Sequence, residues 1–188
     1  MKVLVACERS GIVRDAFIEA GHDAVSCDLL SSDRGGPHYK GDVRDLDLTM
    51  YDLLIAHPPC THLAVSGARW FKDKQGEQKN ALEFVRWIFA APVKRIALEN
   101  PVSIISTQIR KPDQIIQPWQ FGDEYQKKTC LWLKNLPPLW PTNIVGKGEF
   151  VIHGGKRLPR WYSNRERCRD ITFPGIAAAM ADQWGRLE

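Results

Sequence analysis

The sequence KVLVACERSGIVRDAFIEAGHDAVSCD, residues 2–28, predicts a strand, a helix and a second strand in close succession. Residues 2–7 are a short apolar run, which is typical of a buried strand. Ser10 can cap the helix that follows, and Gly21 can end it. The second strand is predicted at residues 22–29. Two strands joined through a helix form the basic unit of a parallel sheet.

The same alternation continues along the chain, and we expect an α/β fold with a parallel, doubly wound sheet in a single domain, residues 1–188. Residues 31–42 are predicted to be a loop. The segment 135–170 is rich in Gly, Pro and Arg, and we expect a short, basic, irregular insert there. The other predicted strands are residues 50–57, 93–100 and 129–135, and the other predicted helices are residues 76–92 and 175–187.

Charge is unevenly distributed in this chain, whose formal net charge is +4. Between Lys147 and Arg169 there are seven Lys or Arg residues and two Glu residues, and Lys134 lies just upstream. Such a segment fits either a polyanion partner or a solvated basic loop.

Hydropathy and cysteine spacing give expectations about membrane association, secretion and metal binding. No apolar run approaches the roughly 20 residues that span a bilayer, and we expect no membrane partner. The start of the chain is charged too early for a signal peptide. The five cysteines form no Cys-x-x-Cys pair, so we expect no metal and the reduced thiols of a cytoplasmic protein.

Polar side chains follow the predicted strands at the points where the strands end. They are Glu8, Asp28, the Pro58–Cys60 segment and the Glu99–Asn100 pair. The carboxyl ends of parallel strands share one edge of a sheet, and ligands of such sheets bind there. The sequence therefore predicts one site that combines these residues.

The first of these loops, ACERSG, joins a strand to a helix, where backbone N–H groups face a ligand. It holds a single glycine, Gly11, and its Glu8 disfavours a phosphate, so a nucleoside cofactor with a positive centre suits it better. Asp28 lies where an acidic side chain commonly accepts from ribose hydroxyls, and it could equally be a turn residue. Asp42 could accept from an adenine amino group.

The segment IAHPPCTHLAVSG, residues 55–67, carries the candidate nucleophile. Two prolines restrict the backbone, so Cys60 would project from a stiff turn at the end of a strand. A thiolate there is an effective nucleophile, whereas an isolated cysteine is more often a buried structural residue. Glu99 could face the edge of a heterocycle opposite the thiol.

The order of these segments resembles the cytosine-C5 DNA methyltransferases, and specifically their short versions from phage genomes. HPPCTHLAVSG resembles the Gly-Pro-Pro-Cys-Gln catalytic loop of that family, and LENP resembles its Glu-Asn-Val segment. The resemblance extends over most of the chain through weaker motifs. These are LVACERSGIVRDAFIEAGHDAVSCDL, GDVRDL, QKKTCLWL and FPGIAAAMADQW.

This resemblance implies a Rossmann-like fold, S-adenosylmethionine as cofactor, and DNA as partner, either single-stranded or with the target base flipped out of the duplex. Cys60 would add to C6 of cytosine, Glu99 would hold the N3 and amino edge, and Lys128 would supply a cationic contact. It implies cofactor contacts at Cys7, Glu8, Ser10, Gly11, Asp28, Asp42, Pro58 and Ala178. It implies substrate contacts at Pro59, Asn100, Lys127, Arg165 and Arg167. A bacterial or phage-infected cytoplasm would be the setting.

Departures from the family keep other functions open. His57 replaces a glycine, Thr61 replaces a glutamine, and Cys130 replaces an arginine. Since the segment available for target recognition is short, we expect short or relaxed sequence specificity. The alternatives are an amino-methyltransferase, C5 modification of RNA or of a free pyrimidine nucleotide, and a catalytically silent module that binds DNA or the cofactor.

Overall fold

The computed structural model of the chain describes residues 1–66, 75–159 and 171–187. The strands are β1 (Lys2–Ala6), β2 (Asp23–Asp28), β3 (His38–Lys40), β4 (Leu53–Ala56), β5 (Arg95–Pro101), β6 (Gln114–Ile116), β7 (Thr129–Lys134), β8 (Phe150–His153) and β9 (Lys156–Pro159). The helices are α1 (Ile12–Glu19), α2 (Gln75–Ala90), α3 (Ile105–Gln108) and α4 (Pro174–Gly185). None of the described helices combines the length and apolar character needed to cross a bilayer.

Seven strands form one sheet in the order β3-β2-β1-β4-β5-β7-β6. Among the described strands of this sheet, β7 alone runs against the others, since it pairs antiparallel with both β5 and β6. All other pairings are parallel. The predicted doubly wound α/β sheet is therefore confirmed, with one reversed strand that the sequence pattern did not reveal.

The strand order changes direction at β1. The chain moves from β1 to β2 and β3 on one side, and then returns to place β4 on the other side of β1. Loops that leave β1 and β4 consequently diverge to opposite sides of the sheet. A crevice opens between them at the carboxyl ends of the strands, where ligands of open α/β sheets bind.

Both faces of the sheet are covered by helices, because side chains alternate along each strand. Val3 and Val5 of β1 pack in the core beneath α1 and α4, whereas Leu4 and Ala6 pack in the core beneath α2 and α3. All four of these side chains are buried. Burial of a valine or leucine side chain stabilises a fold by roughly 1.5–3 kcal/mol, which explains the apolar character of both faces of these strands.

Three segments differ from the sequence prediction. The predicted loop 31–42 contains β3, whose three residues carry no apolar alternation and pair with the open edge of β2. β6 was not predicted either, because three residues are too few to show a strand pattern. The predicted irregular insert contains the antiparallel hairpin of β8 and β9, while residues 160–170 lie outside the described part of the chain.

Gly175, in the first turn of α4, allows a close approach that a larger residue would prevent. A Cβ atom at this position would lie 1.8 Å from the carbonyl oxygen of Phe121. We expect Gly175→Ala to lower the free energy of unfolding by about 1–3 kcal/mol, because α4 must shift outward. Urea unfolding measures this change.

The matched control is Gly76→Ala in α2, where a Cβ atom would meet nothing within 4 Å. Alanine favours a helix over glycine by up to about 1 kcal/mol, so this variant should be as stable as the wild type or more stable. Equal unfolding midpoints for the two variants would contradict the close approach at α4.

Candidate active site

The carboxyl ends of β1, β2 and β4 lie at one level in the sheet, and β5 crosses this level at Leu98 before it ends at Pro101. Four side chains directly beyond this level are brought together in this way. They are Cys7, Asp28, His57 and Glu99. The sequence prediction of one combined site is thus matched by the register of the sheet.

Two cavities open at this edge. The larger has a volume of about 820 Å³ and lies between the strand ends and α2. The smaller has a volume of about 280 Å³ and contains Cys60 and Glu99. Both cavities are lined by the same four residues, which form their common boundary. These are Cys7, Asp28, Pro58 and Pro59. A molecule in one cavity would therefore adjoin a molecule in the other.

The larger cavity has the character of a nucleoside site. Its volume lies within the range of about 300–1,000 Å³ that is common for small-molecule sites. Asp28 contributes a carboxylate, one oxygen of which accepts from the Leu30 backbone N–H at 2.9 Å. Phe84 and Trp87 of α2 contribute stacked rings with centroids 5.9 Å apart. Acidic and aromatic groups together suit ribose hydroxyls and a flat base.

Asp42 also lines the larger cavity, where it caps a short 3₁₀ turn over Val43–Asp45. Its carboxylate accepts from the Arg44 guanidinium and backbone N–H, and these hydrogen bonds lower the pKa of Asp42. An ionised carboxylate can accept from an amino group, as predicted from the sequence. Arg44 already occupies part of its accepting capacity.

Glu8 and Ser10 have a different role from the predicted cofactor contact. The Glu8 carboxylate is buried and accepts from the backbone N–H groups of Val13 at 2.6 Å and Arg14 at 3.2 Å. Ser10 donates to the same carboxylate. Neither residue lines either cavity. The unpaired N–H groups at the start of α1 attract a carboxylate, and this attraction turns Glu8 away from the crevice.

Gly11 precedes α1 with a φ angle of 71°, in the left-handed region that favours glycine. A Cβ atom there would lie 2.5 Å from the guanidinium of Arg14. That guanidinium is buried and donates to Ser26 and Ser32. Gly11 therefore makes room for a buried arginine and does not line either cavity, a role that its sequence position did not reveal.

Cys60 lies in the smaller cavity and is half-buried. Its carbonyl oxygen accepts from the backbone N–H groups of Leu63 and Ala64, so a tight turn follows it. Asn100 holds the turn in place two residues before Cys60, because its Nδ2 donates to the Pro58 carbonyl oxygen at 2.8 Å. Asn100 Oδ1 is buried and has no partner in the described part of the chain. The predicted substrate contact Asn100 is thus also a support of the Pro-Pro-Cys turn.

Glu99 projects into the same cavity and contacts His57, with 3.1 Å between Oε2 and the histidine Nδ1. Burial raises the pKa of Glu99, but the hydrogen bond and charge of His57, together with the charge of Lys127, outweigh burial and lower the pKa overall. The sequence interpretation treated His57 as a departure from the family motif and did not place it beside Glu99. Its position directly before Pro58, at the end of β4, was the available signal.

Lys127, rather than Lys128, is the lysine of the smaller cavity. Lys127 lines the cavity, where its Nζ lies 3.4 Å from the Ile171 carbonyl oxygen and 5.6 Å from the centre of the Phe173 ring. Lys128 is exposed and lines neither cavity, contrary to its predicted catalytic role. Successive side chains of an extended segment point to opposite sides, so only one of these two lysines can face the site.

Ala178, predicted as a cofactor contact, is exposed on α4 and lines neither cavity. α4 packs beside α1, on the face of the sheet opposite to α2. The segment before α4 reaches the site instead, since Ile171 and Thr172 line the smaller cavity. Predicted substrate residues Arg165 and Arg167 lie outside the described residues.

Metal-ligating side chains are not clustered in residues 1–66, 75–159 and 171–187, where no group of three or more His, Cys, Asp or Glu could hold an ion. The side chains that line the smaller cavity include a thiol, a carboxylate, an imidazole and an ammonium group.

Comparison with known proteins shows the fold. No protein-family model and no curated protein matches the chain. A solved E. coli protein, provisionally named a DNA modification methyltransferase encoded within a prophage, matches with a TM-score of 0.52 and 15% identity, over 78% of this chain and 52% of that chain. A mutant of Spodoptera frugiperda DNMT2 matches with a TM-score of 0.45 and 12% identity, over 84% of this chain and 57% of that chain.

The chain thus spans about half the length of the E. coli protein. The structural match shows the fold, and because the identity is only 15%, the activity has to be inferred from the site. This chain has the Rossmann-like α/β fold of that methyltransferase, as the sequence predicted.

The described thiols differ in their chemical environment. Burial is the main cause that raises the pKa of Cys7 to about 12 and the pKa of Cys27 and Cys130 to about 11 each. At pH 8 about one in a thousand or fewer of these three thiols are ionised. We expect iodoacetamide to alkylate Cys60 at least about tenfold faster than each of them in the native protein, as read by peptide mass spectrometry.

Urea-unfolded protein provides the control, because all cysteines should then react at similar rates. Alkylation of Cys7 in the native protein as fast as Cys60 would contradict the described environments.

Proposed function

We propose that this chain transfers a methyl group from S-adenosylmethionine to C5 of cytosine in DNA through a covalent adduct of Cys60. The observation that carries this proposal is the smaller cavity, which combines Cys60, Glu99 and Lys127 and adjoins a larger, nucleoside-like cavity. A nucleophile, a carboxyl group and a cation around one base-sized space suit attack on a pyrimidine ring.

The residues of the larger cavity fit the cofactor. Asp28 would accept from the ribose hydroxyls and Asp42 from the adenine amino group, while Phe84 and Trp87 provide an apolar wall. When bound, S-adenosylmethionine supplies an electrophilic methyl group. Pro58, on the boundary of the two cavities, would keep the cofactor next to the base.

Cys60 would provide the nucleophile that makes C5 reactive. Its thiolate sulfur forms a bond to C6, and the electron pair of the C5–C6 double bond becomes available at C5 for the new carbon–carbon bond. After methyl transfer the C5 proton leaves to a base, for which a water molecule suffices. The returning electron pair re-forms the C5–C6 double bond and expels the thiolate, so Cys60 is regenerated.

Glu99 would face the N3 and amino edge of the base and donate a proton to N3 as negative charge develops in the ring. Lys127 lies close enough to lower the pKa of Glu99 and would stabilise the same developing charge. Lys127 in this role replaces Lys128, which the structure leaves outside the cavity.

The hairpin of β8 and β9 supports DNA as the substrate. Lys156 and Arg157 are exposed on it, and the Arg157 guanidinium lies 4.2 Å from the centre of the Phe150 ring. Ile152 on the same hairpin is 74% exposed. Basic and apolar side chains in this arrangement suit phosphate contacts and base stacking. Arg165 and Arg167 would extend the basic segment, and contacts of this kind imply relaxed sequence specificity.

A second candidate is C5 modification of RNA or of a free pyrimidine nucleotide. The smaller cavity, of about 280 Å³, is compatible with it, because a space for a single base accepts the same ring from RNA or from a free nucleotide. The chemistry of Cys60 and Glu99 would be the same for each substrate.

The Cys60→Ala variant tests the covalent mechanism. We expect wild-type protein to transfer label from methyl-labelled S-adenosylmethionine to DNA, and Cys60→Ala to transfer none, because no other residue forms the bond to C6. Separate incubations with DNA, RNA and dCMP identify the substrate, and bisulfite sequencing locates the product. Cys130→Ala removes a buried thiol on β7 and should retain transfer.

Transfer by Cys60→Ala at the wild-type rate would overturn the adduct. If label appeared only in RNA or dCMP, the second candidate function would replace DNA methylation. A wild-type protein that binds cofactor without any transfer would favour a silent binding module.

The hairpin gives a separate test of DNA binding. We expect Lys156→Glu combined with Arg157→Glu to weaken duplex binding at least about tenfold. The slope of the logarithm of the binding constant against the logarithm of salt concentration should become shallower by about one for each lost phosphate contact. Fluorescence anisotropy at several salt concentrations measures both quantities.

Lys79→Glu combined with Arg86→Glu introduces the same change of charge on the exposed side of α2 and is the matched control. Equal weakening by both double variants would show a general effect of net charge and contradict a binding role for the hairpin.

A further inference from the structure

His57 is a partly buried residue whose side chain has no role in the proposed transfer. It follows β4 directly, and its backbone N–H donates to the Ala6 carbonyl oxygen at 2.9 Å. This hydrogen bond continues the pairing of β4 with β1 and fixes the imidazole at the edge of the sheet. Nδ1 faces Glu99 Oε2 at 3.1 Å, and Nε2 is buried with no partner among the described residues.

The direction of the hydrogen bond follows from the charge of its partner. The pKa of Glu99 is lowered, so its carboxylate is ionised near neutral pH and can only accept. His57 Nδ1 therefore carries a hydrogen and donates to Oε2. Oε2 of Glu99 is engaged in this way, no hydrogen bond is found to Oε1 among the described residues, and Glu99 lines the smaller cavity.

We infer that His57 is a positioning residue that holds the Glu99 carboxyl group through Oε2, so that Oε1 alone carries the proton given to the pyrimidine ring. This inference rests on the proposed function. Glu99 takes up a proton from solvent on Oε1 as the base enters, and N3 accepts that proton when Cys60 adds to C6. N3 returns the proton to Oε1 when the thiolate is expelled. The carboxylate that remains is stabilised by the Nδ1–H group, because hydrogen bonds to charged acceptors are the stronger ones.

Burial of Nε2 supports a fixed rather than a mobile imidazole. The hydrogen bond to Glu99 is the only side-chain hydrogen bond that the described structure gives the ring, so no other described acceptor competes with Oε2. Without His57, Oε1 and Oε2 would be equivalent and the carboxyl group could turn. Alignment of a proton donor with its acceptor contributes strongly to rate.

Other titratable and charged groups surround the pair. Lys127 also lowers the pKa of Glu99, and the charge of Glu99 raises the pKa of Cys130. The remaining charged or titratable groups on the walls of the smaller cavity are Cys7, Arg9, Asp28 and Cys60. All of them stay unchanged when His57 is replaced, so a change in the Glu99 titration would report on His57.

Two amide variants separate the hydrogen bond from the rest of the side chain. His57→Asn places an amide N–H near the position of Nδ1 and can still donate to Oε2. His57→Gln places its amide near the position of Nε2, where the described structure offers no partner. The two side chains have the same chemistry, so a difference between them reflects the position of the donor.

The first measurement needs no substrate. Carbon-13 NMR of the glutamate carboxyl groups follows the titration of Glu99, whose signal is identified from its loss in Glu99→Gln. We expect the midpoint in His57→Gln to rise by about one pH unit or more, because the hydrogen bond that offsets burial is lost. In His57→Asn it should stay within about half a unit of the wild type. His22→Gln, remote from the cavities, should leave it unchanged.

The second measurement is the pH profile of methyl transfer. Loss of the Glu99 proton sets the decline of kcat/KM with rising pH, and this decline should move to higher pH in His57→Gln but not in His57→Asn. The limiting rate at low pH should fall at least about tenfold in His57→Gln, because the carboxyl group is no longer aligned.

Equal Glu99 midpoints and equal pH profiles for the two variants would overturn the inference. A decline that moves to lower pH in His57→Gln would also overturn it, because His57 would then be the source of the proton. Wild-type protein without transfer to any substrate would contradict the proposed function alone, and the NMR titration would still decide whether His57 holds Glu99.

Discussion

The parallel pairing of β1 with β2 on one side and β4 on the other is the constraint on which the candidate site depends. Because these strands end at one level that β5 also crosses, residues from four distant parts of the chain meet, and hydrogen bonds such as that between His57 and Glu99 join them. The change of chain direction at β1 then opens the crevice that they line. A shift of one strand by a single residue would turn each of its side chains to the other face of the sheet and disperse the site.

Within this site, local hydrogen bonds decide which carboxylates remain available for chemistry. The Glu8 carboxylate is saturated by the N–H groups at the start of α1, although the residue lies directly after a strand end. Asp42 is largely engaged by Arg44. Glu99 has one oxygen on His57 and the other within the cavity. These three acidic residues therefore differ in how much of each carboxylate remains free to contact a ligand.

Under the proposed function, two parts of the fold have different roles. The rigid edge of the sheet carries the groups that must be aligned, namely Cys60 on its turn and Glu99 beside His57. The hairpin of β8 and β9 lies in a long segment between β7 and α4, and its exposed basic and apolar side chains suit the less specific contacts with phosphates and bases.

The sequence by itself determined the alternation of strands and helices, the cluster of polar residues at the strand ends, and the Cys60–Glu99 combination, because hydrophobic periodicity and proline geometry are local properties. Three-residue strands such as β3 and the reversed direction of β7 were decided by pairing with distant edges. Only the tertiary structure turned Lys127 into the cavity and Lys128 out of it, engaged Glu8 with a helix, and brought His57 to Glu99. Each of these outcomes depends on the direction of a side chain relative to neighbours far away in the chain, and residue type and spacing carry no record of that direction.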